Sequence, residues 1–537
     1  MVHLPRVVCA AAGGGEVTLS KRSIEELLGR YPQYRRMLFQ RGYLISTRSL
    51  ARYPFYSNWR KSAINVSDKP LYVYTHIDPP IAVETLDDVT GVLVGHGYNP
   101  ITMQYRESDI LRVLLSRYRQ SRESFFEALS EITGIHVIVI ADGAHCLTVQ
   151  DCCGIMPVYY GRIGQDIYLT SHCQLVADIC GLERTTEIER YLRAPFYRIG
   201  ISQLCGVDSP FSELTMLSPN TYLTVPNLTV HRFYPVDPLP RLDGETLEWL
   251  ADTLRYSIEL CTRKWKCSVS LSGGVDSRLT LAAANGHYDR LGFFSFASTP
   301  AESRDAHSAA GLCSVLGLQH DLYVIPDDES AIRDFDVISQ IMEHNTAYIK
   351  PRRGADARKR AYFTQFVDME IEIKSHVSEV ARAFYYKKLG KVRFRTPLTA
   401  RHMSNLAKRN LLHRSILKDM DRSFQRFIDI SSFGSFPDGY DETDLFYWEN
   451  RMPAWAALVK QSFDTSHDTT MIYNNRRLLE AFLSFPLADR ITDRPQRELI
   501  RMLNPALACQ TFTENAMKRR WRIIAERLFF EVNSRIP

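Results

Sequence analysis

The chain has 537 residues, of which 45% are hydrophobic and 24% charged. This is an ordinary globular balance in a length that exceeds one hydrophobic core, so two or more domains are expected. Lys plus Arg number 66 against 61 Asp plus Glu, a net charge of +5, too slight for a nucleic-acid surface. No run of about 18 apolar residues occurs, which argues against a helical membrane span. The 11 cysteines include no CxxC pair. They suit neither zinc nor a disulfide framework, and read as buried reduced thiols of a cytoplasmic protein.

The N-terminal stretch MVHLPRVVCAAAGGG has an apolar patch, Val7–Ala12, too short for a secretory signal and without a basic segment ahead of it. Val8 precedes Cys9 where a lipoprotein signal needs a small residue, so this end is expected to be retained. In the first half, helical patterns cover Ser108–Arg119 and Ser121–Thr133. Short β-like runs follow at His136–Ile140, Ile155–Tyr160 and Asp166–Ser171. Tyr222–Val225 and Leu228–Phe233 form a hairpin-like pair around Pro226-Asn227. The first half therefore reads as α+β. Three prolines between Tyr234 and Gly244 disfavour helix and central strand alike, and the division expected is 1–235, a linker 236–244, and 245–537.

The second half opens on a helix whose apolar stripe is Leu247, Leu250, Leu254, Ile258 and Cys261. A short strand, Cys267–Leu271, leads into Ser272-Gly273-Gly274-Val275-Asp276-Ser277 and a helix from about Arg278 to Ala284. Strand Leu291–Phe296, helix Asp305–Leu316 and strand Asp321–Ile325 continue the alternation, which implies an α/β, doubly wound parallel sheet. Ligands of such sheets bind at the carboxyl ends of the strands. From about Ala331 onward the pattern is mostly helical.

The turn Ser272–Ser277 has the chemistry of a phosphate seat. Gly273 and Gly274 let a phosphate approach the backbone, and the following helix start offers N–H groups and a favourable dipole. Ser272 and Ser277 add hydroxyls. Asp276 would repel phosphate unless a cation lay between them, and Mg2+ prefers a carboxylate together with phosphate oxygens. The turn is not a Walker A loop, which needs GxxxxGK[ST].

Ser272–Ser277 resembles the PP-loop of the N-type ATP pyrophosphatases. The half-by-half order resembles the asparagine synthetase and β-lactam synthetase superfamily, in which an amidotransferase-like domain precedes the synthetase domain. Asp151-Cys-Cys-Gly154 with Pro157-Val-Tyr-Tyr160, the serine-bearing Leu169-Thr-Ser171, Pro219–Val225 and Phe233-Tyr234 resemble further elements of that superfamily, Asn220 standing where it has glycine. The resemblance implies an N-terminal Ntn-hydrolase-like sandwich, then an α/β ATP-binding domain and a helical C-terminal part. It implies ATP and Mg2+ at Leu271, Ser272, Gly273, Gly274, Asp276, Ser277 and Phe296, with Asp276 on the metal.

Three departures shape the expected function. Glutamine-dependent members use an exposed N-terminal cysteine as nucleophile, whereas residue 2 here is Val2 and Cys9 would need unusual cleavage, so glutamine hydrolysis is not expected. β-Lactam synthetases and lasso-peptide cyclases also lack it. The second acidic, metal-binding turn has no close copy. Its best candidate is Glu379, with Arg382 beside it, in Met369–Arg382, read as strand, turn and helix. Its rival is Asp356, inside the basic run Lys350–Arg360, read otherwise as a solvated mobile loop, a lid over the triphosphate, or a contact for an anionic substrate. The lysine that stabilises the transition state is replaced by Arg497, which neutralises charge but carries no proton. Tyr473–Arg477 resembles a pocket-lining segment, Lys518–Arg522 reads as a helix with a solvated face, and His172, His344 and His376 are not spaced as a metal cluster.

The function expected is an ATP-dependent, AMP-forming amide ligase, with Glu379 and Arg497 as catalytic candidates. Its partners would be a small-molecule or peptide carboxylate and an amine, without nucleic acid or membrane; a homodimer is compatible with the sequence. The alternatives are an ammonia-dependent asparagine synthetase and a non-catalytic nucleotide-binding scaffold.

Overall fold

The computed structural model describes residues 21–51, 56–66, 69–143, 145–194, 197, 203–366, 369–390, 394, 396–407, 414–434, 436–510 and 516–535. Val2 and Cys9, on which the glutamine argument rests, lie outside them.

Twelve strands build the first half: β1 Tyr43–Ser46, β2 Trp59–Val66, β3 Lys69–His76, β4 Ile81–Leu86, β5 Val89–Tyr98, β6 Thr133–Asp142, β7 His145–Gln150, β8 Tyr159–Ile163, β9 Asp166–Thr170, β10 Thr215–Met216, β11 Thr221–Val225 and β12 Thr229–Arg232. They form two six-stranded antiparallel sheets, β10-β8-β9-β1-β3-β2 and β12-β11-β7-β6-β5-β4. The two-residue alternation of a strand decides which side chains face where. Tyr43, Ile45 and Val73 of one sheet share a core with Val92, Val94, Val137 and Val139 of the other. Leu93, Ile138 and Ile140 point the opposite way, onto Leu111, Leu114 and Phe125 of the helices Glu107–Gln120 and Arg122–Ser130. Leu44, Tyr74 and Tyr168 pack outward on Leu27, Leu28, Leu175 and Ile338. The result is a helix–sheet–sheet–helix stack, the Ntn-hydrolase-like layering that the resemblance implied.

The run Ile155–Tyr160 becomes strand only from Tyr159. The Asp151 carboxylate accepts from the backbone N–H groups of Cys153, Ile155 and Met156 at 2.8–3.2 Å and holds the intervening chain in a turn, as aspartate does when it competes with a ladder. The hairpin at 221–232 forms as β11 and β12.

In the second half, β13 Cys267–Ser270, β14 Leu291–Ala297, β15 Asp321–Val324, β16 Ile371–Ile373 and β17 Asp468–Thr470 make a five-stranded parallel sheet, ordered β15-β14-β13-β16-β17. Numbered from β13, the order is 3-2-1-4-5. The direction of winding therefore reverses between β13 and β16, and the crevice outside their carboxyl ends is where such sheets bind ligands. The basic run differs from a solvated loop: residues 355–366 are helical, and Lys350, Lys359 and Arg360 are buried. The expected helix after Met369 is a 3-10 turn, His376–Ala381. Among the described residues no helix is long and apolar enough to cross a membrane.

The halves share side chains as well as a core. Asn474 donates to the carbonyl of Gly134 (2.6 Å) and to Asp151 (2.8 Å), Asn475 to the carbonyl of Glu131 (2.8 Å), and Arg476 to the Asn220 amide oxygen (2.9 Å). Glu449, fully buried, takes a bidentate pair from Arg232 at 2.7 and 2.7 Å and a hydrogen bond from Asn220 at 3.0 Å. Of Tyr473–Arg477, expected to line a pocket, Asn474, Asn475 and Arg476 are thus buried against the first half, while the Tyr473 hydroxyl meets Thr280 at 3.2 Å and the Asp276 carbonyl at 3.4 Å.

Candidate nucleotide site

β13 ends where the Leu271 N–H donates to the Phe294 carbonyl at 2.8 Å, and the helix Val275–Ala283 starts after Gly274. The turn between them is pinned by its own hydroxyls. Ser277 donates to the Ser272 carbonyl (3.0 Å), the Ser272 N–H donates to Ser277 Oγ (3.1 Å), and the two hydroxyls lie 3.0 Å apart. A Cβ on Gly274 would stand 3.3 Å from Ser272 Oγ. Small residues are therefore what this close turn tolerates.

Asp276, in the first helical turn, faces the segment that follows β16. Ser378 donates its hydroxyl to one carboxylate oxygen and Arg382 its guanidinium to the other. Burial raises the Asp276 pKa, Arg382 opposes the rise, and the nearby Glu379 charge adds to it. Of the two candidate acidic partners, Glu379 is the one that acts on Asp276. It accepts from the Tyr447 hydroxyl at 2.5 Å. Asp356 begins the helix Ala355–Phe366 and is exposed, with Lys359 at 3.8 Å.

Arg382 also binds Asp493, at 2.7 and 3.0 Å. Lys387 pairs with the same carboxylate. Burial and the Arg382 charge push the Lys387 ammonium down to about 8 against the pull of Asp493. Arg497 lies one turn further along the helix Arg494–Leu503, which packs on the helix Val275–Ala283. Its Nε donates to the Thr492 carbonyl at 3.3 Å. Arg278, buried, has its pKa lowered to about 10 by desolvation and by the charge of Arg497. Phe296, at the end of β14, carries the Lys359 ammonium 4.4 Å above its ring, and Lys359 is anchored on Glu302 at 2.7 Å.

Ser378, Lys387, Tyr447 and Asp493 escaped the sequence reading. Ser378 adjoins Glu379 in the turn already singled out. Asp493 and Tyr447 come from segments more than 60 residues away, and no spacing signals them.

The residues fit Mg2+ only in company. Among the described residues no group of three or more His, Cys, Asp or Glu sits together as a ready metal site. A desolvated Asp276 with Glu379 near it offers the one or two carboxylates that Mg2+ takes when phosphate oxygens complete its shell.

The asparagine synthase family model matches residues 250–353. No curated protein matches the chain. Among solved structures, glutamine phosphoribosylpyrophosphate amidotransferase from B. subtilis, complexed with ADP and GMP, is 10% identical over 67% of this chain and 74% of its own, with a TM-score of 0.22. A structure of the allosteric regulatory enzyme of purine biosynthesis is 10% identical over 51% of this chain and 63% of its own, with a TM-score of 0.24. Neither score is high enough to add to the strand order described above. The loop 272–277 and strands β13, β14 and β15 all fall inside the stretch that resembles the asparagine synthase family.

Proposed function

We propose that the chain is an ATP-dependent, AMP-forming ligase that activates a carboxylate and joins it to an amine, with no glutamine hydrolysis. The observation that carries this reading is the meeting of Asp276 on the loop helix with Ser378, Glu379 and Arg382 at the reversal point between β13 and β16. An asparagine synthase domain supports ATP-using amidation in general; the substrate and the AMP-forming mode are the proposal.

A substrate carboxylate oxygen forms a bond to the α-phosphorus of ATP, and the bond from that phosphorus to the β-bridging oxygen breaks with release of pyrophosphate. The amine nitrogen then bonds to the acyl carbon, AMP leaves with the acyl C–O electron pair, and the nitrogen loses a proton. The loop N–H groups and the helix start receive the departing phosphates. Arg382 stands at the same point with a fixed charge, and positioning with charge clamping is the main protein contribution to such transfers. Bound Mg2+, held by Asp276 with help from Glu379, would neutralise phosphate charge. Lys387, poised near 8 and paired with Asp493, is a second candidate beside Arg497 for stabilising the charge that develops during amide formation.

The Arg382–Asp276 pair also supports a second reading, a nucleotide-binding scaffold, because an internal cation already satisfies the carboxylate. Titration of Mg-ATP by calorimetry into wild type and Asp276→Ala, followed by pyrophosphate exchange over a panel of carboxylates, separates the two. Mg2+-dependent binding lost in the variant, with exchange dependent on one carboxylate, is the result expected. Binding without exchange by any carboxylate would favour the scaffold, and no binding by wild type would sink both. Formation of asparagine from aspartate and ammonium would instead identify an ammonia-dependent asparagine synthetase.

A further inference from the structure

Two buried tyrosines hold the acidic residues of the site from behind. Tyr473 reaches the Asp276 backbone carbonyl at 3.4 Å and the Thr280 hydroxyl at 3.2 Å, and Thr280 in turn meets the Ser375 hydroxyl at 2.6 Å. Tyr447 donates to the Glu379 carboxylate at 2.5 Å. In both cases the next residues along the chain turn to the first half. After Tyr473, Asn474 donates to Gly134 and Asp151, Asn475 to Glu131, and Arg476 to Asn220. After Tyr447, Trp448 donates to the Cys152 carbonyl at 2.8 Å, Glu449 takes Arg232 and Asn220, and Asn450 donates to the Gly206 carbonyl at 2.9 Å. Residues two apart on a helix do not face each other. Tyr447 and Glu449 therefore reach in different directions from the π-helix Tyr447–Ala456, a widened form frequent at functional sites.

The two paths meet at one side chain. Asn220 accepts from Arg476 Nε at 2.9 Å and donates to Glu449 at 3.0 Å. A guanidinium only donates and a carboxylate only accepts, so the joining group must do both, as an amide does. Asn220 is 1% exposed, and its backbone is left-handed, φ +64°, a conformation that asparagine tolerates and glycine adopts freely.

We propose that Asn220 is a positioning residue for the nucleotide site: by tying Arg476 to Glu449 it fixes, through Tyr473 and Tyr447, where Asp276 and Glu379 stand relative to each other. The first half thus braces the phosphate loop. This deepens the ligase reading, on which it rests for the Mg2+ that the two carboxylates share; carboxylates already held in place bind a cation without first being gathered.

The test uses the full-length protein and hydrogen exchange read by mass spectrometry over 272–283, over 376–382 and, as reference, over the helix Pro300–Val315 of the same sheet. Asn220→Gly removes the amide and keeps the backbone conformation. It is expected to speed exchange about tenfold in 272–283 and 376–382 and to leave the reference unchanged. Tyr473→Phe is expected to speed only the first segment and Tyr447→Phe only the second, and these two variants carry the test if Asn220→Gly does not accumulate. In calorimetry, Asn220→Gly is expected to need about tenfold more Mg2+ than wild type for ATP to bind. Exchange equal to wild type in Asn220→Gly or in both Phe variants overturns the positioning role. Exchange raised alike in all three segments, or an unchanged Mg2+ requirement, overturns it too. A wild type that never binds Mg-ATP refutes the ligase reading instead, and the exchange result then judges the brace alone.

Discussion

The guanidinium of Arg382 bridges Asp276 and Asp493, two carboxylates 217 positions apart that belong to the starts of two packed helices. Removing one partner of a partly buried ion pair leaves the others uncompensated, at a cost of about 3–5 kcal/mol. Arg382→Gln is therefore expected to destabilise the protein by about that amount. Asp276→Asn in the Arg382→Gln background should cost far less than it does alone, a coupling above about 1 kcal/mol in a double-mutant cycle by urea unfolding. Additive effects would mean that the bridge contributes nothing.

Glu379 is held by the Tyr447 hydroxyl, which fixes the orientation of the carboxylate. Glu379→Ala should weaken Mg-ATP, though less than Asp276→Ala does. Tyr447→Phe, which removes only the hydroxyl, should cost about 1.5–3 kcal/mol of stability, the usual worth of a hydrogen bond to a charged group. Equal Mg-ATP affinity in wild type and Glu379→Ala would remove Glu379 from the metal's surroundings.

The contact between the halves makes its own prediction. Glu449→Gln breaks the bidentate pair with Arg232, buried on the Glu449 side, and is expected to lower stability by about 3–5 kcal/mol. Calorimetry should show one lowered transition. Two separated transitions, with the first-half one unmoved, would refute the shared anchoring.

Burial pushes the His76 and His376 pKa values down to about 4, and those of His96 and His172 to about 3. Native rings stay neutral while unfolded rings protonate from about 6.5 downward. Their contribution is complete above pH 6.5 and is lost as pH falls toward 4, by about 1.4 kcal/mol per pH unit for each ring. Asp444 and Asp464, raised to about 6 by burial, bind protons in the native state first and offset part of this below pH 6. The urea midpoint should fall between pH 6.5 and 4; a midpoint that rises over that range contradicts neutral buried histidines.

What was legible in the sequence was local. The loop 272–277 declares itself because glycine, serine and aspartate are chosen there for close backbone approach and anion chemistry, and β13, β14 and β15 because each apolar run alternates with a helix. β16 falls within Met369–Arg382, whose sequence reads as opening on a strand, whereas β17, of three residues, is too short for any period to register. The basic run was misread because charge usually marks solvent. Lys359 is instead held between Glu302 and the Phe296 ring, and Arg360 is spent on two carbonyls. Asp493 and Tyr447 reach the site only through tertiary packing, which residue spacing does not encode.

The anchoring of Asn474, Asn475 and Arg476 on Gly134, Asp151, Glu131 and Asn220 has a consequence for biosynthesis. A ribosome releases chain at about 5–20 residues per second, so the first half leaves the ribosome well before the residues that cap it exist. During that interval the carbonyls of Glu131 and Gly134 and the Asn220 amide have water or a chaperone for company. Expressing residues 1–235 alone would make that interval permanent.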